Sequence, residues 1–145
     1  MNIAVSACLL GTKCRYDGSA KPCPPVIALK SKHTLVPICP EVAAGLPIPH
    51  APNEIASTKP LCVRDSEGID NTEAFVRGAE KSVERARNKG CDLAILKAKS
   101  PSCGSGLIYD GTFSGALVPG DGVACALFKQ AGIAVVDENH IPEGL

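Results

Sequence analysis

The residues with the most chemistry run from Lys97 to Gly106, in the order Lys-Ala-Lys-Ser-Pro-Ser-Cys-Gly-Ser-Gly. Cys103 stands there among hydroxyls and glycines, with Lys97 and Lys99 just upstream and the apolar run Leu93 to Leu96 leading in. A structural cysteine usually sits inside such a run as a small buried hydrophobe. This one falls where the chain must turn tightly and a ligand can approach the backbone. Ser100 and Ser102 are placed to donate to a ligand, or simply to satisfy the backbone of the turn.

Two further cysteines stand in similar places. Cys8 follows the short run Asn2 to Ser6, and Cys39 follows Thr34 to Ile38. Glu41 lies just beyond Cys39. A carboxylate there suits a proton carrier or water activator, or, more plainly, a helix cap. Zinc cysteines usually come as Cys-x-x-Cys pairs, and the chain has none. A 4Fe–4S cluster usually takes four cysteines; three would leave one iron open to substrate. Cys14 could be a fourth ligand or stand in the trio in place of one of the others, but it lies in a polar turn leading to Asp17-Gly18, farther from the strand end than Cys8, and is expected to leave the site open. His33, His50 and His140 lie in unrelated contexts without ligand spacing and read as surface or loop positions.

The elements that must carry these residues follow from periodicity. Asn2 to Ser6, Thr34 to Ile38, Leu93 to Ala98 and Ile133 to Val136 read as strands. Pro37 weakens the second, because proline removes a ladder donor. Pro24 and Pro25 suit the first turn of a helix over Val26 to Lys30. Val42 to Pro60 reads as a long functional loop with a helical turn near Glu54, and Leu61 to Arg64 as a short edge strand. Asp70 to Glu73 has the form of a capping box. The helix behind it buries Phe75, Val76, Ala79, Val83 and Ala86 and turns Arg77, Glu80, Lys81, Glu84 and Arg87 to water, until Gly90 ends it. Ile108 to Gly115 reads as a hairpin around Asp110-Gly111. Asp121 is expected to cap a last helix over Val123 to Phe128, closed near Gly132.

Strands alternating with helices give an α/β fold with a mostly parallel sheet. All strands of such a sheet end on one edge, where ligands bind. Cys8, Cys39 and Cys103, each just past a strand, are expected to converge there.

The totals narrow the class. The 145 residues suffice for one domain, spanning 1–145, and 45% hydrophobic residues support a real core. Basic and acidic residues balance at 15 each, so no global field favours nucleic acid or an anionic membrane. Aromatics at 3% argue against a base-stacking platform. No run is long enough to span a bilayer, and no secretory signal is evident at Met1 to Leu10. Eight cysteines in a chain expected to be cytoplasmic point to metal binding or chemistry rather than disulfides.

Several motifs together resemble the thiouracil desulfurase family. They are Ser6-Ala7-Cys8-Leu9-Leu10-Gly11, Arg15-Tyr16-Asp17-Gly18, Cys39-Pro40-Glu41, Ile95-Leu96-Lys97 with Ser100-Pro101-Ser102-Cys103-Gly104, and Ile108 to Phe113. The resemblance runs from residue 3 to about residue 138. It implies a Rossmann-like three-layer sandwich carrying a 4Fe–4S cluster, whose three ligands fall on Cys8, Cys39 and Cys103. It also implies sulfur removal from a thiolated uracil or uridine without redox change. The Cys-Pro-Glu carboxylate falls on Glu41, and the motif serine on Ser100 or Ser102. Two stretches depart from the family: Val42-Ala43-Ala44-Gly45-Leu46, where relatives have more glycine, and Pro49-His50, where relatives often carry Pro-Arg.

On this reading an open iron acts as Lewis acid on the thiocarbonyl sulfur, water activated by Glu41 attacks the carbon, and hydrosulfide leaves. The expected substrate is a small thiolated pyrimidine base or nucleoside, with thiolated tRNA disfavoured by the neutral charge. A metal-free enzyme using Cys103 as nucleophile is the first rival, and it lacks an evident base. A non-enzymatic iron–sulfur or metal carrier is the second.

Overall fold

The computed structural model describes residues 1–145. Its elements are β1 (Asn2–Ser6), α1 (Pro24–Ile27), β2 (Thr34–Ile38), α2 (Pro40–Ala43), β3 (Asn53–Thr58) and β4 (Leu61–Asp65). There follow α3 (Thr72–Asn88), β5 (Cys91–Leu96), β6 (Leu107–Tyr109), β7 (Leu117–Pro119), α4 (Val123–Gln130) and β8 (Ala134–Asp137). Single 3-10 turns cover Ala7–Leu10 and Ala28–Ser31.

Alternation along β1 explains the centre of the fold. Ala4 points to one face, Ile3 and Val5 to the other, and all three are fully buried. A strand buried on both faces belongs inside a parallel sheet. The sheet has the order β2-β1-β5-β8, every pair parallel. One face packs Ala4, Val36, Ala94 and Leu96 under Phe75 of α3 and Phe128 of α4. The other packs Ile3, Val5, Leu93 and Ile95 against Leu9 and Val26. Each such large side chain contributes about 1.5–3 kcal/mol on burial. The layers are those of a Rossmann-like three-layer α/β sandwich, as expected. No helix is long and apolar enough to cross a membrane.

From β1 the chain steps to β2 on one side, then returns to place β5 on the other. The order therefore reverses beside β1, where open α/β sheets bind ligands. Pro37 is tolerated because β2 is the sheet's edge strand.

Several local expectations are corrected. The stretch from Val42 to Pro60 is not one loop: β3 runs through Glu54 and pairs antiparallel with β4. The helix cap falls on Asn71 rather than on Asp70 of the expected capping box, and Asn71 makes no side-chain cap bond. Asp70 Oδ1 instead accepts the Thr72 N–H at 2.9 Å and the Thr72 hydroxyl. Asp121 does not cap α4; it accepts the Gly106 N–H at 2.9 Å and pairs with Lys129 at 3.0 Å. Arg77 and Lys81 do more than face water, donating to the Ala44 and Ala43 carbonyls at the end of α2.

Those two donors help seat α2 on α3, and Gly78 lets it come close. A Cβ at Gly78 would run into the Pro40 carbonyl oxygen and reach within 2.9 Å of the Ala44 Cβ. Alanine in a helix interior normally gains about 1 kcal/mol over glycine. Here the clash meets rigid backbone and outweighs that gain. Gly78→Ala is expected to lower stability by about 1–3 kcal/mol in denaturant unfolding, and a stabilised variant would disprove the close contact.

Candidate active site

Three strand ends build one cleft. After β1 the chain tightens into the turn Ala7–Leu10, which buries Cys8 and is closed by Gly11 at a φ of 97°. Only glycine takes that left-handed conformation without cost. After β2, Cys39 precedes α2, whose first turn carries Pro40 and Glu41. After β5, the loop from Lys97 to Gly106 carries Ser100, Ser102 and Cys103. Cys8, Cys39, Glu41, Ser100, Ser102 and Cys103 all line a cleft of about 320 Å³.

The Cys103 loop is held by backbone. The amides of Gly122, Val123, Ala124 and Cys125 donate to the carbonyls of Gly104, Pro101, Ser102 and again Ser102, at 2.7–3.1 Å. The orphan donors at the start of α4 are thus satisfied by this loop rather than by a side chain. Gly122 permits the approach, since a Cβ there would lie 2.6 Å from the Ser102 carbonyl. Within the loop, Ser100 Oγ accepts the N–H groups of Ser102 and Cys103, both at 3.1 Å. Ser102, only 2% exposed, donates to Glu41 Oε2 at 3.3 Å and joins the loop to α2. Glu138 adds an outer brace: its carboxylate accepts the Ala98 N–H at 2.7 Å and pairs with Lys97 at 2.8 Å.

Cys14 is not a remote turn residue. It is buried, lines the same cleft and lies against Cys39. As a thiol, Cys39 Sγ donates to the Cys14 carbonyl at 3.8 Å. As a thiolate it accepts from the Cys14 thiol, which draws the Cys39 pKa down to about 7 and pushes that of Cys14 up. Burial pushes Cys8 up to about 11 and Cys103 up to about 12; the Ser6 and Ser102 hydroxyls only partly offset the latter. All eight cysteines are free thiols. No three His, Cys, Asp or Glu side chains close tightly enough around one point for a single metal ion.

Sequence reasoning missed other members of the site. His50, read as a surface or loop position, brings Nε2 to 3.1 Å from Glu41 Oε1. Both tyrosines of the chain, Tyr16 and Tyr109, line the cleft beside Lys97, Lys99 and Arg15. The only signal for His50 was its place in the departing Pro49-His50 pair. Nothing in the sequence pattern marked Glu138.

Buried thiols and a carboxylate at the switch point of an α/β sheet define a class: an enzyme domain with a soft-ligand site. The family model for 2-thiouracil desulfurase matches residues 3–140, and the chain belongs to that family. Its activity class is therefore thiouracil desulfuration. The chain is 40% identical over 146 residues to the uncharacterized protein YbbK of Bacillus subtilis (strain 168), covering 96% of this chain and 97% of that one. It is also similar to the solved structure of the 4Fe-4S-dependent thiouracil desulfidase TudS. That match has a TM-score of 0.90 and 42% identity, covering 98% of this chain and 93% of that chain.

The thiol environments predict an order of reactivity. A thiolate, not a thiol, attacks an alkylating agent. At neutral pH in metal-free protein, Cys39 is expected to be carbamidomethylated by iodoacetamide well before Cys8 and Cys103, as read by peptide mapping over time. Simultaneous labelling of all three would contradict the separation of their pKa values.

Proposed function

We propose that this domain, residues 1–145, hydrolyses the C–S bond of a thiolated uracil at a 4Fe–4S cluster held by Cys8, Cys39 and Cys103. The observation that carries this reading is the convergence of three free thiols from three adjacent parallel strand ends on one cleft, with Glu41 and Ser102 beside them. The donor set fits the group. Thiolates are the ligands such clusters take, and each holds a different iron, so they need not close on one point. Cys14, buried beside Cys39 and bonded to it through its backbone carbonyl, is read as a neighbour that packs against the ligand set rather than as a member of it. When bound, the cluster supplies an iron without a cysteine, a Lewis acid for the soft thiocarbonyl sulfur.

The side chains supply the rest. Glu41 Oε2 takes a proton from water as a C–O bond forms at the thiocarbonyl carbon. The C–S bond breaks, sulfur leaves as hydrosulfide, and no electrons are gained or lost. Ser102 donates to the carboxylate at rest. At 3.3 Å that bond is long beside the usual charge-assisted length of about 2.5–2.7 Å, so the hydroxyl exchanges readily to water or substrate. Ser100 keeps the loop in shape and sits 2.9 Å from the Ser102 hydroxyl, in reach as a relay. Tyr16 and Tyr109 offer aromatic surface to one pyrimidine ring. The small cleft suits a free base or nucleoside, and the zero net charge does not favour tRNA. Eight free cysteines suit a reducing compartment, which supports a cytoplasmic location.

Ligation is tested by iron content of protein reconstituted without oxygen. Cys8→Ala, Cys39→Ala and Cys103→Ala are each expected to lose the cluster, while Cys14→Ala keeps it. Full iron in any of the first three sinks the ligand assignment. Glu41→Gln is expected to retain iron and to lose about 10²- to 10⁴-fold in kcat on a thiouracil. Turnover close to wild type in that variant would return Glu41 to a structural role.

A further inference from the structure

The His50 ring meets an acceptor on each side. Nδ1 lies 2.7 Å from the Pro47 carbonyl oxygen and Nε2 lies 3.1 Å from Glu41 Oε1. A carbonyl oxygen cannot donate, so Nδ1 must carry a hydrogen. A neutral ring would then present only a lone pair to the carboxylate, and two lone pairs repel. The arrangement is satisfied when a second hydrogen lies between Nε2 and Oε1.

The ring is built into this position. The His50 amide donates to the Tyr16 carbonyl at 2.8 Å, and the Tyr16 ring meets the imidazole edge-on with centroids 6.4 Å apart. The His50 side chain is only 9% exposed. Glu41 is thus held at both oxygens: Oε1 by His50 and Oε2 by Ser102.

We infer that His50 is a positioning residue for desulfuration, donating from Nε2 to Glu41 Oε1 so that Oε2 alone faces Ser102 and the cleft. The inference rests on the reading of Glu41 as the base. A carboxylate on a flexible stem turns freely about its last bond, a broad and roughly two-fold torsion. Fixing one oxygen sets the lone-pair direction of the other on the reacting water. A misplacement of about 1 Å costs on the order of 10²-fold in rate. His50 also supplies a hydrogen bond to a carboxylate whose burial would otherwise be costly.

A purely structural role, stapling the chain at Pro47 to α2, makes a different prediction. Its loss would not depend on what stands at position 41. The test is a double-mutant cycle on cluster-loaded protein: wild type, His50→Phe, Glu41→Gln and the double variant, each with iron content, kcat and KM for a thiouracil that the wild type turns over. His50→Phe is expected to keep its iron, to lower kcat about 10²-fold and to leave KM little changed. On the Glu41→Gln background the same change is expected to lower kcat hardly further, because the group His50 acts through is already gone. Equal losses on both backgrounds, or full turnover in His50→Phe beside a crippled Glu41→Gln, would overturn the inference and leave Glu41 in its role. Near-normal turnover in Glu41→Gln would instead remove the base itself, and the inference with it. If His50→Phe fails to hold iron, His50→Ala, which removes the ring instead of replacing it, takes its place in the cycle with the same outcomes.

Discussion

Parallel pairing of β1 with both β2 and β5 is the constraint on which the site depends. In register, Ser6 stands beside Ile38, and Val5 beside Ile95. The residues just past those positions are therefore neighbours in space, although they lie far apart in the sequence. An antiparallel arrangement would scatter Cys8, Cys39 and Cys103 over two edges. The reversal of strand order beside β1 then leaves a gap that no crossover helix fills.

Strand ends alone do not hold side chains to a fraction of an ångström. That is done by backbone contacts behind the site. The Cys103 loop is pinned by the first amides of α4, and the Cys39–Glu41 segment by close approach to α3 at Gly78. Ser102 to Glu41 is the bond that closes these two halves on each other. The site is thus rigid at its rear and open only towards solvent, which suits electrostatic preorganisation at the reacting atom.

The four strands of the parallel sheet and the three converging thiols were legible because both depend on short-range pattern: apolar runs, their lengths and the residue types at their ends. Pro37 was misleading as a weakness, since edge position is a property of the assembled sheet. The start of α4 was misassigned to Asp121 because capping by carbonyls of a distant loop leaves no trace near the helix. β3 was hidden by the prolines around it. Its Glu54 accepts the amides of Gly111 and Phe113, a pairing only the fold creates. His50 escaped for the same reason. Pro47 and Glu41 are near it in sequence, but the turn that brings the ring onto them, and the distant Tyr16 that holds it, come only with folding.

The tie between the Cys103 loop and α4 bears on how such a protein survives damage. Iron–sulfur groups are readily lost to oxidation, and a site that collapsed on losing one would need refolding. Here, swinging the loop aside would strand the amides at the head of a helix buried on Phe128. The backbone has reason to stay where it is whatever the thiols carry. The bonds that hold the loop are backbone bonds and do not pass through the thiols.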